Sequence, residues 1–166
     1  DPESGLKAVI AVHDTTLGPA LGGLRMWNYE SEKEAIFDVL RLSKGMTYKS
    51  ACANTGLGGG KAVIIGDQKK DKSEALFRAM GRFVDSLGGS YITAEDVGVG
   101  IQELEWLQME TAYVMGLSRQ SGSSGNPSPF TARGVIRGLF ACTEEKFGTS
   151  HLDRLHYSVQ GLGQVG

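Results

Sequence analysis

Cysteine is scarce in this sequence. Cys52 and Cys142 are the only two in 166 residues, and they form neither a Cys-x-x-Cys pair nor a disulfide-dense pattern. A reducing, cytoplasmic setting is therefore expected, with both thiols serving as small core or near-core residues rather than nucleophiles. An apolar run of about 18 residues is also missing, and no signal-peptide pattern is present, so no membrane-spanning segment is expected. Neither sign of charge is in excess. Lys plus Arg total 17 against 19 for Asp plus Glu, a formal charge of -2, which argues against nucleic-acid or membrane partners and leaves small, possibly anionic, ligands open. His13, His151 and His156 lack metal-ligand spacing, and neither His-Glu-x-x-His nor Gly-x-Ser-x-Gly occurs, so neither a metal centre nor a serine hydrolase is expected.

What the chain does have is enough apolar residues for a packed core, 40% of the total, in a length suited to one domain or one domain and part of another. It opens on Asp1-Pro2-Glu3-Ser4-Gly5 rather than Met, and it closes on Gly161-Leu162-Gly163-Gln164-Val165-Gly166. Both ends read as the interior of a longer protein, so a fragment is expected.

The pattern between those ends predicts alternating strands and helices, an α/β chain. Strands are expected at Leu6–Val12, Ala62–Ile65, Tyr91–Thr93 and Leu155–Gln160. Residues 13 to 30 read as loop because Gly18-Pro19 and Gly22-Gly23 punctuate them. Ser31 with Glu34 has capping-box spacing and opens a helix with Ile36, Val39 and Leu40 as its apolar stripe, running toward Lys49 and ended at the latest by the glycines at 56 to 60. Ser73 opens a second helix, with Leu76, Phe77, Met80, Phe83, Val84 and Leu87 at helical spacing and Gly88-Gly89 as its stop. A third runs from Ile101 to about Met109. The Ser/Gly-rich stretch 118–128 reads as a linker, and a last helix carries Val135, Ile136, Leu139 and Phe140 to about Phe147, where Gly148 stops it.

Three ionisable groups fall at predicted element ends, where active sites are usually assembled: Lys49, Lys61 and Asp96. Lys61 follows Gly56-Leu57-Gly58-Gly59-Gly60, which misses the phosphate-loop pattern by one residue and by Ala62 in place of Ser or Thr. Two readings remain for it: a desolvated general base at the mouth of an apolar strand, or a surface lysine after a turn. Lys49 is either an anion-binding cation or a favoured charge at a helix C-terminus. Asp96 is either a proton carrier at a strand end or a helix cap. Gly161, Gly163 and Gly166 satisfy G-x-G-x-x-G after a predicted strand, the context of a dinucleotide-binding turn.

In series, Thr16 to Trp27, Lys44 to Lys49, Gly58 to Ala62, Ala94 to Gly98, Asn126 to Pro129 and the terminal glycines resemble the glutamate/leucine/phenylalanine/valine dehydrogenase family over essentially the whole chain. The resemblance is greatest to its leucine-directed members. It implies a substrate domain over 1–125, a connecting helix over 126–150 and the start of a truncated NAD-binding Rossmann domain over 151–166. It further implies NAD-dependent, reversible oxidative deamination of branched-chain L-amino acids to 2-oxo acid and ammonia, leucine preferred, in a homo-oligomer. Lys61 then matches the catalytic lysine that helps water attack the imino carbon, Asp96 the proton relay and Lys49 the partner of the substrate carboxylate. Gly22 and Gly23 match backbone near the substrate, Leu21 and Ala94 the lining of the side-chain pocket, and Gly161, Gly163 and Gly166 the cofactor turn. The alternatives are a phenylalanine- or valine-directed member or, for the fragment itself, a non-catalytic folding and oligomerisation module that binds amino acids weakly.

Overall fold

A computed structural model describes every residue except 119, 121, 122, 124 and 154. The linker expected over 118–128 therefore lies partly outside the described residues. The chain divides into two compact units, residues 1–124 and 125–166.

The first unit is a mixed four-stranded sheet with helices on both faces. Its strands are β1 (Ala8–Asp14), β2 (Ala20–Trp27), β3 (Gly58–Ile65) and β4 (Tyr91–Ala94), in the order β1-β3-β2-β4. β1 runs antiparallel to β3, while β2 runs parallel to both β3 and β4. The helices are α1 (Glu32–Cys52), α2 (Glu74–Asp85) and α3 (Ile101–Gln108).

α1 begins where the Ser31 hydroxyl accepts the Glu34 N–H at 3.2 Å, while the Glu34 carboxylate accepts the Glu30 N–H at 2.8 Å, one residue upstream of a strict capping box. Glu32 and Glu34 in its first turn and Lys49 in its last oppose the helix dipole. α2 repeats the device, the Ser73 hydroxyl accepting the Leu76 N–H at 3.2 Å.

One face of the sheet is dry. Leu24, Met26, Ala62, Ile64 and Tyr91 pack there with Phe77, Met80 and Val84 of α2 and Leu104 and Leu107 of α3. Each large side chain withdrawn from water in this way contributes roughly 1.5–3 kcal/mol. The opposite face receives α1, whose Ala35 and Val39 meet Ala11, Tyr29 and Val63. Ile36 and Leu40, expected in that stripe, are instead exposed, as is Phe83 of α2. The apolar arc of each helix is wider than the strip its sheet covers.

Two expectations about backbone fail for one reason. Residues 20–27 form β2 rather than loop, and Gly58 to Gly60 are buried strand rather than a flexible turn before Lys61. Glycine here permits close approach: a Cβ on Gly59 would stand 2.1 Å from the Thr47 backbone nitrogen of α1, and one on Gly60 would stand 2.7 Å from the Tyr91 ring. Cys52 and Cys142 are exposed, not core, Cys52 because it closes the last turn of α1.

The second unit contains α4 (Ser128–Phe147), with Pro129 in its first turn, the Asn126 side chain accepting the Ser128 N–H at 2.8 Å, and Gly148 ending it at φ 68°. Val135 and Ile136 are exposed, and Thr143 is the helix's buried residue among those described. Residues 155–160, expected as a strand, join no sheet. A strand needs a neighbour to take its N–H and C=O groups, and among the described residues of this unit none pairs with it.

Candidate functional site

Strand alternation decides which face each residue serves. On β3, Gly60, Ala62 and Ile64 enter the dry core, which turns Gly59, Lys61 and Val63 toward α1. On β2 the same alternation puts Leu21, Gly23 and Arg25 on the α1 side, Leu21 opposite Gly59 and Arg25 opposite Val63. Lys61 is thus a mid-strand residue in the sheet interior, only 6% exposed, and the surface-lysine reading does not describe it.

Lys61 Nζ pairs with the carboxylate of Asp96. Asp96 lies just beyond β4 in a segment anchored to β2, where the Met26 N–H donates to the Val97 carbonyl at 3.0 Å. The helix-cap alternative for Asp96 does not hold, because α3 starts after Gly100, whose N–H donates to Glu103 at 2.8 Å. Gly23 makes room for the aspartate: a Cβ there would stand 2.6 Å from the Glu95 carbonyl and 2.9 Å from the Asp96 Cβ.

A third charged side chain completes the cluster. Arg25 Nε lies 3.5 Å from Asp96 Oδ2, and its Nη1 donates to Asp38 Oδ2 of α1 at 2.8 Å. Asp38 also accepts from the Tyr29 hydroxyl at 2.9 Å and from Arg41 at 2.9 Å. Arg25, Tyr29 and Asp38 are not singled out by the sequence reading, which dissolved β2 into a loop. The signal that could have found Arg25 is the alternation of Ala20, Leu24 and Met26 with Leu21, Arg25 and Trp27, hidden by the two glycines between them.

Burial lowers the pKa of Lys61, and the charges of Arg25 and Lys49 push the same way; the attraction of Asp96 opposes them and does not win. Burial alone would raise Asp96, but Lys61, the Val97 N–H and Arg25 outweigh it and hold the carboxyl below its ordinary value. Asp38 is likewise held low, its burial overcome by hydrogen bonds from Arg41, Tyr29 and Arg25. The pair therefore consists of a firmly ionised carboxylate and an ammonium that gives up its proton more readily than usual, which suits proton transfer in a partly dry site.

Lys49 is exposed in the last turn of α1 and acts on Lys61 through its charge. Leu21 and Ala94 are half-buried on the same side of the sheet, with Ala94 opposite Gly23. Gly22 faces the other way, buried, its carbonyl accepting the Tyr91 hydroxyl at 2.6 Å. Gly161, Gly163 and Gly166 belong to the second unit.

A family model described as Glu/Leu/Phe/Val dehydrogenase, dimerisation domain, matches residues 2–113. The chain belongs to that family. Similar relatives agree: a leucine dehydrogenase of Bacillus cereus is 61% identical over 99% of this chain, and a phenylalanine dehydrogenase of Lysinibacillus sphaericus is 55% identical over 100% of this chain. The matches cover 45% and 44% of those proteins, so the chain spans less than half the length of the curated relatives it matches. Among solved structures, the L-tryptophan dehydrogenase of Nostoc punctiforme superposes with a TM-score of 0.74 at 47% identity, over 98% of this chain and 45% of that one. In this family member, then, the lysine–aspartate pair sits on the α1 face of the sheet, and the glycine fingerprint lies in a separate unit.

Proposed function

We propose that this chain supplies the substrate-binding and proton-handling part of an NAD-dependent amino-acid dehydrogenase that deaminates branched-chain L-amino acids, leucine first, to 2-oxo acid and ammonia. The observation that carries the reading is the Lys61–Asp96 pair, buried at Lys61 and half-buried at Asp96, with Lys61 holding its proton less firmly than a free lysine and Asp96 held ionised. Residues 1–125 form the substrate domain, 126–150 the connecting helix and 151–166 the opening of the cofactor domain. The assembly is a homo-oligomer, in keeping with the dimerisation domain in the family description, and it is cytoplasmic.

Lys49 binds the substrate carboxylate at the open end of α1. Its exposure leaves the ammonium free to meet a ligand, and a cation there is stabilised by the helix dipole. Leu21 and Ala94, half-buried beside Gly23, line the pocket for an aliphatic side chain. Asp96 takes and returns a proton at the substrate nitrogen. Neutral Lys61 then takes the proton of a water attacking the imino carbon, and as an ammonium it stabilises the negative charge that develops on oxygen.

Gly161, Gly163 and Gly166 are assigned to a nicotinamide dinucleotide on their spacing; at two of them the backbone supports the reading, since Gly161 stands at φ 89° and a Cβ on Gly166 would lie 2.2 Å from the Gly161 carbonyl, whereas one on Gly163 would meet nothing. NAD, when bound, provides the hydride acceptor.

Leucine is placed ahead of phenylalanine on the higher identity to the leucine enzyme, 61% against 55%. An apolar pocket separates neighbouring aliphatics by only about 1–3 kcal/mol per methylene, so valine and isoleucine are also substrates. The test is NADH formation by this chain alone and by the chain extended with the remaining part of the B. cereus relative, offered leucine, valine, phenylalanine and glutamate in turn. Turnover by the extended form with leucine and valine ahead is expected. A folded extended form silent on all four overturns the assignment. In the extended form, Lys49→Ala should raise KM for leucine by about tenfold or more with a smaller change in kcat, and an unchanged KM contradicts the carboxylate role.

A further inference from the structure

The Lys61–Asp96 pair is not isolated. A line of contacts runs from α1 into it: Tyr29 and Arg41 donate to Asp38, Asp38 accepts from Arg25, and Arg25 reaches Asp96. Arg25 is the only member that touches both carboxylates. Its Nε is buried and, among the described residues, makes no hydrogen bond, lying 3.5 Å from Asp96 Oδ2, while its Nη1 is fixed at 2.8 Å by Asp38. A guanidinium forms a planar fork, so anchoring one end fixes where the other end points. Asp38, with its side chain 14% exposed, is in turn fixed by two further donors, so the anchor does not swing.

We propose that Arg25 is a positioning residue of the Lys61–Asp96 pair, held by Asp38 and Tyr29 so that its charge stands beside the Asp96 carboxylate and keeps the proton of the pair mobile. The proposal rests on the reading of Lys61 and Asp96 as the proton-handling groups. The charged groups that act on Lys61 come from three elements, Arg25 from β2, Lys49 from α1 and Asp96 from the segment at the end of β4; Asp38 and Arg41 of α1 and Tyr29 connect to it through Arg25, Glu95 adjoins Asp96 in sequence, and His13 of β1 bonds Thr47 of α1 at 2.9 Å. Of the cations, Arg25 alone is half-buried and tied to both Asp38 and Asp96, so its charge is the least screened by solvent. Removing it relieves a repulsion on Lys61, which then holds its proton to higher pH. Asp96 also loses a cation but keeps Lys61 and the Val97 N–H, and remains a carboxylate at neutral pH.

The test has two readouts. The first follows the side-chain NMR signals of Lys61 through a pH titration in this chain, comparing the native sequence with Arg25→Gln, Arg25→Lys and Asp38→Asn. The second is the pH profile of kcat/KM for leucine in the extended form. Arg25→Gln is expected to move the Lys61 titration and the acid limb of the profile up together by about one pH unit, a tenfold loss of kcat/KM below the limb, with KM on the plateau changed less than about threefold. Arg25→Lys, which keeps the charge, should recover most of that shift. Asp38→Asn loosens the anchor and also removes one negative charge from the cluster, two effects that oppose each other at Lys61, so it should move both readouts the same way by less. A residue that merely packs would lower folded yield in all three variants and leave the limb where it is. Arg25→Gln and Asp38→Asn both titrating within about 0.2 unit of the native chain would overturn the proposal. Absence of turnover in the native extended form would sink the functional reading instead, and the Lys61 titration tells the two failures apart.

Discussion

The two faces of the sheet are made from the same strands, and both bury apolar side chains, but the α1 face adds a cluster of charged ones. On one, Leu24, Met26, Ala62, Ile64 and Tyr91 are fully buried against α2 and α3. On the other, the next residue along each of β2 and β3 is Arg25 or Lys61, and the space under α1 holds an ion-pair cluster. Folding free energy should reside in the first face and chemistry in the second. A carboxylate and two cations withdrawn from water gain little net stability, because desolvation offsets much of their attraction, but they gain strong mutual influence on where protons sit.

The sharpest way to break the contrast is a pair of truncations one on each face. Lys61→Ala in the extended form should lower kcat by roughly 10³-fold, the scale of losing a general base. Its urea midpoint should move little, because Asp96 keeps Arg25 and the Val97 N–H. Leu24→Ala, at a side chain with no exposure, should instead cost about 3 kcal/mol of stability and leave kcat of the remaining folded protein within about threefold. Parallel unfolding curves and turnover numbers check both, and a destabilisation by Lys61→Ala as large as that by Leu24→Ala would merge the two faces.

Gly23→Ala probes the seam between them. The added Cβ meets the Glu95 carbonyl and the Asp96 Cβ inside contact distance, so the segment after β4 must move and carry the aspartate with it. A loss of about tenfold to a hundredfold in kcat is expected, since displacing a reacting group by about 1 Å has that scale, with roughly 1–3 kcal/mol of strain in the unfolding curve. Wild-type turnover would mean that Asp96 has freedom the ion pair with Lys61 does not suggest.

How much of this could be read from the sequence follows from the same glycines. The helices were legible because a capping Ser and a 3.6-residue rhythm are local signals, as at Ser31 and Ser73. β2 was not, because Gly22 and Gly23 break an alternation that resumes on either side, and local rules assign paired glycines to turns. In this sheet they mark a place where strand, strand and loop come closer than a side chain allows. Lys61 was placed correctly next to an apolar strand and wrongly at its mouth, since nothing in Gly58 to Gly60 says that α1 will lie on Gly59. The partners of Arg25 depend on α1 crossing that face, which brings Asp38 to it from 13 residues away. The exposed Ile36 and Leu40 teach the converse. Periodicity finds an apolar arc, and only the packed fold decides how much of it is covered.

Acid should separate the faces more gently. Asp38 and Asp96 both sit below the ordinary 3.8 of a free aspartate in the folded chain. Such groups contribute stability that is fully present above 3.8 and is lost as pH falls through their folded values, because the unfolded chain takes up protons first. Lys61 works at the other end of the scale. Its lowered folded pKa lies beneath the 10.5 of a free lysine, so between those two values the unfolded chain carries a proton that the folded chain has released, and stability again rises with pH. The charged face should therefore show a urea midpoint that climbs with pH in both windows. Replacing Asp38 by Asn removes one of the acid-side titrations, so the variant, although less stable at neutral pH, should lose less between pH 7 and about pH 3 than the native chain. Leu24→Ala removes no titrating group and should lower the midpoint by the same amount at every pH. If the two variants instead trace parallel curves, Asp38 titrates alike in the folded and unfolded chains, and the anchor of Arg25 is weaker than its three hydrogen bonds imply.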